Sequence, residues 1–346
     1  MRKFKMLVLT DHSNHSKENS LYALVQALRR HPSCGQIDIA SRGNEINQFF
    51  FKKMISKGLF VSKADEKFKF YANGQALTDR LRREAIGNYD VVFLRLPPPL
   101  SSEFLGFLTQ EFPQQLIINA PLGIYETGSK EFLLNFPNLC PPMQLCKSLE
   151  AVEDFKNQFP IVLKPFRDYG GRGIIRIDGD TVWDGQQKLS FTEFAKAMAG
   201  KPLNYLGVKF LKNVGQGDKR IIVVDGRIMG ASLRLPAKDS WLCNVAAGGS
   251  SHAAEVEPEE IAIVETINPI LSKMGIIMYG VDTLVGDEGK RVLSEINTTS
   301  IGGLPQLAKQ QNKPIVEQTA DIIWQYVIEQ PDRLFHKLSK VSFNKL

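Results

Sequence analysis

The chain has 346 residues, 43% hydrophobic and 23% charged, the balance of a globular protein large enough to bury a core without disulfide staples. Its net charge is +6, but residues 332–346 hold four basic residues against one acid, so the rest is nearly balanced; this speaks against a nucleic-acid footprint and leaves a basic tail that is either solvated or meets an acidic partner. No stretch approaches the ~18 apolar residues of a membrane span, and four cysteines without a CxxC pair suggest neither zinc nor a disulfide framework, so a reducing, cytoplasmic setting is expected.

The first third alternates strand and helix. KMLVLTD (5–11) predicts a buried strand. Leu21, Leu24, Val25 and Leu28 then fall at helical spacing, with Ser20 as a candidate cap. QIDIAS (36–41), YDVVFLRL (89–96) and LIINAP (116–121) predict further strands, which makes a parallel α/β pattern. Residues 44–80 show weak periodicity and are expected to be irregular or short helices. From 121 the pattern shifts to a small α+β unit: a short helix SKEFLLNFP, a strand IVLKPF (161–166), a glycine-rich turn into a second strand, and a helix SFTEFAKAMAG. From about 205 hairpins dominate. KRIIVVDGRIMGASLRL reads as two strands joined at Asp225-Gly226, a strong hairpin signal. PEEIAIVETINPILSKMG is a helix, IIMYGVDTLV and KRVLSEIN form a second hairpin about GDEG, and PIVEQTADIIWQYVIEQ is a final helix. The expected division is 1–120, 121–200, 201–331 and a basic tail 332–346.

The second hairpin carries the sharpest chemical signal. Glu295 and Asn297 stand at i and i+2 of one strand and so share a face. Pairing about 286–289 brings Asp282 into the same neighbourhood. These are either solvated groups on a sheet edge or an all-oxygen seat for a hard cation such as Mg²⁺. A buried bare carboxylate is costly without a cation. Leu293, two residues before Glu295, is expected on the same face.

Upstream stand groups suited to phosphate. Lys164 lies inside an otherwise apolar strand, and Lys130 opens a helix; each could equally be a solvated charge. Gly170, Gly171 and Gly173 can take positive φ and turn N–H groups toward an anion. Neither GxxxxGK(S/T) nor GxGxxG occurs. Asp218 and Arg220 open a strand, and Arg220 could fork onto a carboxylate or an oxyanion. Asn244 sits in a small-residue loop. The histidines at 12, 15, 31, 252 and 336 are expected at the surface.

In order along the chain, Lys130, LKP with GGRG, GDKR…VVDG, N-x-AAGG, G-x-D and EIN-T-S resemble the ATP-grasp ligases, and among them the bacterial glutathione synthetase family. RLPPPLSSEF (95–104) resembles that family's R-x-x-PP…EF stretch. The resemblance implies an ATP-grasp fold, mixing α/β and α+β parts: an N-terminal parallel α/β domain, a small lid, and a C-terminal domain gripping ATP between two sheets. It implies that Lys130 and Lys164 bind ATP phosphates, that Lys209, Phe210 and Leu211 meet adenine by backbone, and that Asp218 lies near the ribose or γ-phosphate. Asp282, Glu295 and Asn297 would hold Mg²⁺, with Mn²⁺ a possible substitute. Arg220 would steady an oxyanion. The implied reaction joins γ-glutamylcysteine to glycine through an acyl phosphate, with no nucleic-acid or membrane partner and a homo-oligomeric assembly. Two departures stand where substrate should bind: Leu242 and Cys243 replace Arg-Gly, and SIGGLPQL lacks the family's proline and early arginine. They leave open the same chemistry on another small peptide or amino acid. A nucleotide-binding sensor without turnover is the alternative of a different class.

Overall fold

The computed structural model describes residues 2–185, 187–236 and 250–330. Three sheets organise them. Sheet one contains β1 (Phe4–Thr10), β2 (Cys34–Ser41), β3 (Leu59–Lys63), β4 (Arg82–Glu84), β5 (Val91–Arg95) and β6 (Leu116–Ile118) in the order β4-β3-β2-β1-β5-β6. β2, β1, β5 and β6 run parallel, as the near-continuous apolar runs require. β3 and β4 add an antiparallel edge; β3 falls within residues 44–80, expected to be irregular or short helices, and β4 just beyond them. They are short and carry Lys63, Arg82, Arg83 and Glu84, so neither gives a clear apolar alternation.

Sheet two contains β7 (Met143–Cys146), β8 (Ile161–Pro165), β9 (Ile175–Asp178), β10 (Thr181–Asp184), β11 (Gln187–Ser190) and β12 (Tyr205–Lys209), ordered β11-β10-β9-β8-β12-β7 and antiparallel. β12 belongs here, so the sheet runs past the expected boundary at 200 to Lys209. Ile161, Leu163, Ile175, Ile177 and Val182 form a separate small core with Val152, Phe155 and Phe194. Those last three lie on the helices Leu149–Lys156 and Phe191–Met198.

Sheet three contains β13 (Asp218–Val224), β14 (Arg227–Leu235), β15 (Ser250–Ala254), β16 (Met278–Val285) and β17 (Arg291–Asn297), ordered β15-β14-β13-β16-β17 and antiparallel. Asp225 (φ 47°) and Gly226 (φ 75°) form its first tight turn with both central residues left-handed, as the Asp-Gly pair predicts.

Sheets one and three share their cores. Val8 and Ile222 fall in one apolar cluster with the fully buried Trp324 of the helix Ile315–Ile328, whose indole N–H donates to Leu28 O at 2.9 Å. Asn19, rather than Ser20, caps the helix Ser20–Arg30 by accepting from Leu21 N. The Ser20 hydroxyl instead accepts from Leu304 N at 3.2 Å, at the start of the helix Leu304–Gln311.

Asn119, just after β6, ties sheet one to sheet three. Its Oδ1 accepts from Ile277 N (2.9 Å) and Met278 N (3.0 Å), and its Nδ2 donates to Met278 O (2.6 Å) and Thr298 O (2.8 Å). Truncating it strands buried main-chain groups at ~1–3 kcal/mol each. Asn119→Ala should therefore lower stability by ~3 kcal/mol or more, read as an earlier urea midpoint. An unchanged midpoint would show that these bonds do not hold the two sheets together.

Candidate active site

The facing surfaces of sheets two and three enclose a cavity of about 340 Å³. Part of its wall is apolar, built by Met143, Val162, Val208 and Leu211 on one side and Leu284 and Leu293 on the other. Lys209 lies on this wall, but its ammonium turns to Asp287 at 2.7 Å. Lys212 N and Asn213 Nδ2 donate to Asp287 Oδ1 (3.1 Å) and Gly286 O (2.7 Å). The connector after β12 is thereby fastened to the β16–β17 turn. An apolar slot walled by two sheets and flanked by backbone suits a flat heterocycle.

The other part is charged. Lys164 of β8 is half-buried, with its Nζ 3.2 Å from Ser294 Oγ. Burial pulls its pKa below the ordinary lysine value, and nearby Glu295 opposes that pull. Lys130 approaches Glu295 Oε1 at 3.7 Å, donates to the Asp168 carbonyl and lies 5.5 Å from the centre of the Tyr169 ring. Lys130, Lys164 and Glu295 line one recess with Gly170 and Gly171. Gly170, Gly171 and Gly173 have φ of 69°, 77° and 65°, conformations that L side chains resist. Tyr169 OH donates to Gly128 O at 3.2 Å and anchors the glycine loop beside Lys130.

Across the cleft, β16 and β17 meet with a bulge. Asp282 pairs with Glu295 but Thr283 pairs with Leu293, which leaves Ser294 as the extra residue. Leu293 stands opposite Thr283, fully buried, and lines the cavity that Glu295 also faces. The bulge delivers Ser294 to Lys164.

A second charge network fills the middle of sheet three. Arg220 Nε and Nη2 donate to Asp282 Oδ1 (2.7 Å) and Oδ2 (2.6 Å). Arg234 Nε and Nη2 donate to Asp218 Oδ1 (2.6 Å) and Oδ2 (2.7 Å), and Nη2 reaches Asp282 Oδ2 at 2.8 Å. Burial raises the Asp282 pKa, but Arg220 and Arg234 outweigh it and hold this carboxyl well below the usual range. Burial and the neighbouring Asp282 push Asp218 up to about 6, against Arg234.

Among the described residues, no three His, Cys, Asp or Glu side chains converge to hold a metal, so a cation here depends on Asn297 as a donor. Asn297 Nδ2 lies 3.2 Å from Asp282 Oδ2. Oδ2 is crowded, whereas Oδ1 accepts from Arg220 Nε, and a carboxylate oxygen has two lone pairs. Glu295 faces the same cavity, a third exposed. The set is all oxygen and fits a hard divalent cation.

The structure thus gathers Lys130, Lys164, Gly170, Gly171, Lys209, Phe210, Leu211, Asp218, Arg220, Asp282, Glu295 and Asn297 around one cleft. Gly173 lies in the same loop. Asn244, with Leu242 and Cys243, lies outside the described residues. Sequence reasoning missed the lining role of Tyr169 and Ser294, and gave Arg234 no partner. Arg234 is legible in hindsight as a charge alternating with apolar residues on a hairpin strand. His15 corrects the expectation of surface histidines. It packs edge-on against Tyr22, and burial pushes its pKa down to about 4.

If Lys164 holds an anion as a cation, nucleotide affinity should weaken as pH rises, before the ordinary lysine range near ~10 is reached. Lys164→Arg should remove that slope, because guanidinium stays charged. Isothermal titration with ADP across alkaline pH reads both, and parallel slopes in the two proteins would assign the titration elsewhere.

Comparison with known proteins follows the same lines. The family model for the prokaryotic glutathione synthetase ATP-grasp domain matches residues 129–312. A glutathione synthetase of Bradyrhizobium diazoefficiens is 32% identical over 70% of this chain and 76% of its own. One of Rhodopseudomonas palustris is 29% identical over 83% of this chain and 90% of its own. Among solved structures, D-cycloserine synthetase DcsG superposes with a TM-score of 0.63 at 12% identity, covering 93% of this chain and 99% of that one. The D-alanine-D-alanine ligase of Coxiella burnetii gives 0.61 at 11% identity, covering 96% and 97%. At such identities the structural likeness shows the fold, which is ATP-grasp.

Proposed function

The chain belongs to the prokaryotic glutathione synthetase family and is an ATP-dependent ligase that joins γ-glutamylcysteine to glycine, and from this premise we propose how its cleft divides the work. The observation that carries the division is the convergence of Lys130 and Lys164 beneath the glycine loop, opposite the oxygen donors of β16 and β17.

ATP lies between sheets two and three, with adenine in the apolar slot against the backbone of Lys209, Phe210 and Leu211. Lys130 and Lys164 clamp its phosphates under Gly170, Gly171 and Gly173. Asp282, Glu295 and Asn297 hold Mg²⁺, which when bound offsets polyphosphate charge. The cysteinyl carboxylate of γ-glutamylcysteine attacks the γ-phosphorus, the bond to the β-phosphate oxygen breaks, and ADP leaves. The neutral amine of glycine then attacks the acyl phosphate carbonyl. The tetrahedral oxyanion collapses with loss of inorganic phosphate, and the amine proton passes to solvent. Arg220, aimed into the cavity beside Arg234, donates to that oxyanion. Positioning and charge supply most of such a reaction, so no histidine is needed. The alkaline thiol at Cys140, pushed up to about 12 by burial, takes no part. A cytoplasmic location accords with a thiol substrate kept reduced.

ADP release should require γ-glutamylcysteine and rise on adding glycine; release only with another amine would keep the ligase chemistry and reassign the acceptor. Glu295→Gln should lower kcat by ~10²-fold or more with an unchanged circular dichroism spectrum. Near-normal turnover would remove Glu295 from the metal. Arg220→Ala should lower kcat more than ATP affinity, and the reverse pattern would move Arg220 to the nucleotide.

A further inference from the structure

Sheet three carries a second charged network on the face turned away from the cleft. Lys219, 3% exposed, donates through Nζ to Glu260 Oε2 (2.8 Å), Glu257 Oε1 (2.9 Å) and Glu255 O (2.8 Å). Glu260 is fully buried on the helix Pro258–Lys273, and its Oε1 accepts from Thr283 Oγ1 at 2.6 Å. Arg291 of β17 donates through Nη1 to Thr283 O at 3.2 Å and lies 3.7 Å from Glu260 Oε1.

Lys219 and Thr283 are directly paired across β13 and β16, and Arg220 and Asp282 are the next pair. Successive residues of a strand point to opposite faces. One carboxylate therefore holds both members of the pair adjoining the Arg220–Asp282 pair. Through Thr283 and Arg291 it also reaches β17 on the near side of the Ser294 bulge. A buried ion network of this kind gives little stability over apolar groups of the same shape. What it supplies that apolar groups do not is direction.

We propose that Glu260 is a positioning residue for the ligase reaction. Held between Lys219 and Thr283, it fixes the register of β13, β16 and β17, so that Arg220, Asp282 and Glu295 converge in the cleft. A one-residue slip would turn each of them to the helix side, and a lesser shift would misplace them by a fraction of an ångström. This rests on the assignment of those three residues to catalysis.

The test replaces the network with apolar groups, as Lys219→Met/Glu260→Leu. The thermal midpoint should stay within a few degrees of wild type, while kcat falls by about tenfold to a hundredfold. The Kd for ADP without a divalent cation, set by the apolar slot and the two lysines, should move by less than about threefold. A folded double variant with wild-type kcat would overturn the proposal. Should that variant not fold, Thr283→Val and Thr283→Ser decide the matter, since only Ser keeps a hydroxyl for Glu260. The Ser variant should recover the rate that the Val variant loses, and equal rates would overturn the proposal. If wild type itself shows no amine-dependent turnover with glycine or any other acceptor, the ligase assignment fails instead, whatever the variants do.

Discussion

A charge removed from water must find an opposite charge, and the cleft between sheets two and three is built around that constraint. Asp282, 3% exposed, survives as a carboxylate because two guanidinium groups bond it. Lys164, half-buried in an apolar strand, is balanced by Glu295 across the gap. Asp282 of β16 takes Arg220 from the neighbouring strand β13 and Arg234 from β14 beyond it, and Lys164 of β8 takes Glu295 from the facing sheet. The pairing thus depends on strand register, and the site is as exact as the sheets that carry it.

The two sides of the cleft differ in how they are held. Sheet three shares a continuous core with sheet one, and Asn119 adds four bonds across that junction. Sheet two has a small core of its own. It also meets sheet three through Leu206 and Val208 of β12, which join the large apolar cluster with Val281, Leu293 and Ile296, and through polar fastenings such as Lys209–Asp287 and Lys130–Glu295. Ion pairs this exposed are worth ~1 kcal/mol or less. Sheet three carries Arg220, Asp282, Glu295 and Asn297, and the opposite side carries the lysines and the glycine loop.

Much of this was legible in the chain. The Asp225-Gly226 pair located one turn of sheet three, and alternation placed Glu295 and Asn297 on one face with Asp282 beside them. Lysine in an apolar strand marked Lys164 correctly as a group with a polar target. What escaped had specific causes. β3 and β4 are too short and too charged for periodicity to show. The bulge at Ser294 follows from the pairing of two strands, which neither strand reveals by itself. Lys219 reads as a surface charge in GDKR until the helix bearing Glu260 is laid behind it. Ser20 and Asn19 are both good capping residues, and the choice was made by Leu304, 284 residues away in sequence. Local pattern fixed which groups are present on each strand, while tertiary pairing decided where they aim.

The most direct measurement of the central claim, that oxygens of β16 and β17 seat a divalent cation against bound polyphosphate, is a titration with Mn²⁺ read by electron paramagnetic resonance, with and without a non-hydrolysable ATP analogue. An ordered ion that forms only with the nucleotide, and that shows hyperfine coupling to its phosphorus nuclei, is the expected result. Binding that ignores the nucleotide, or nucleotide binding with no ordered ion beside it, would contradict the claim.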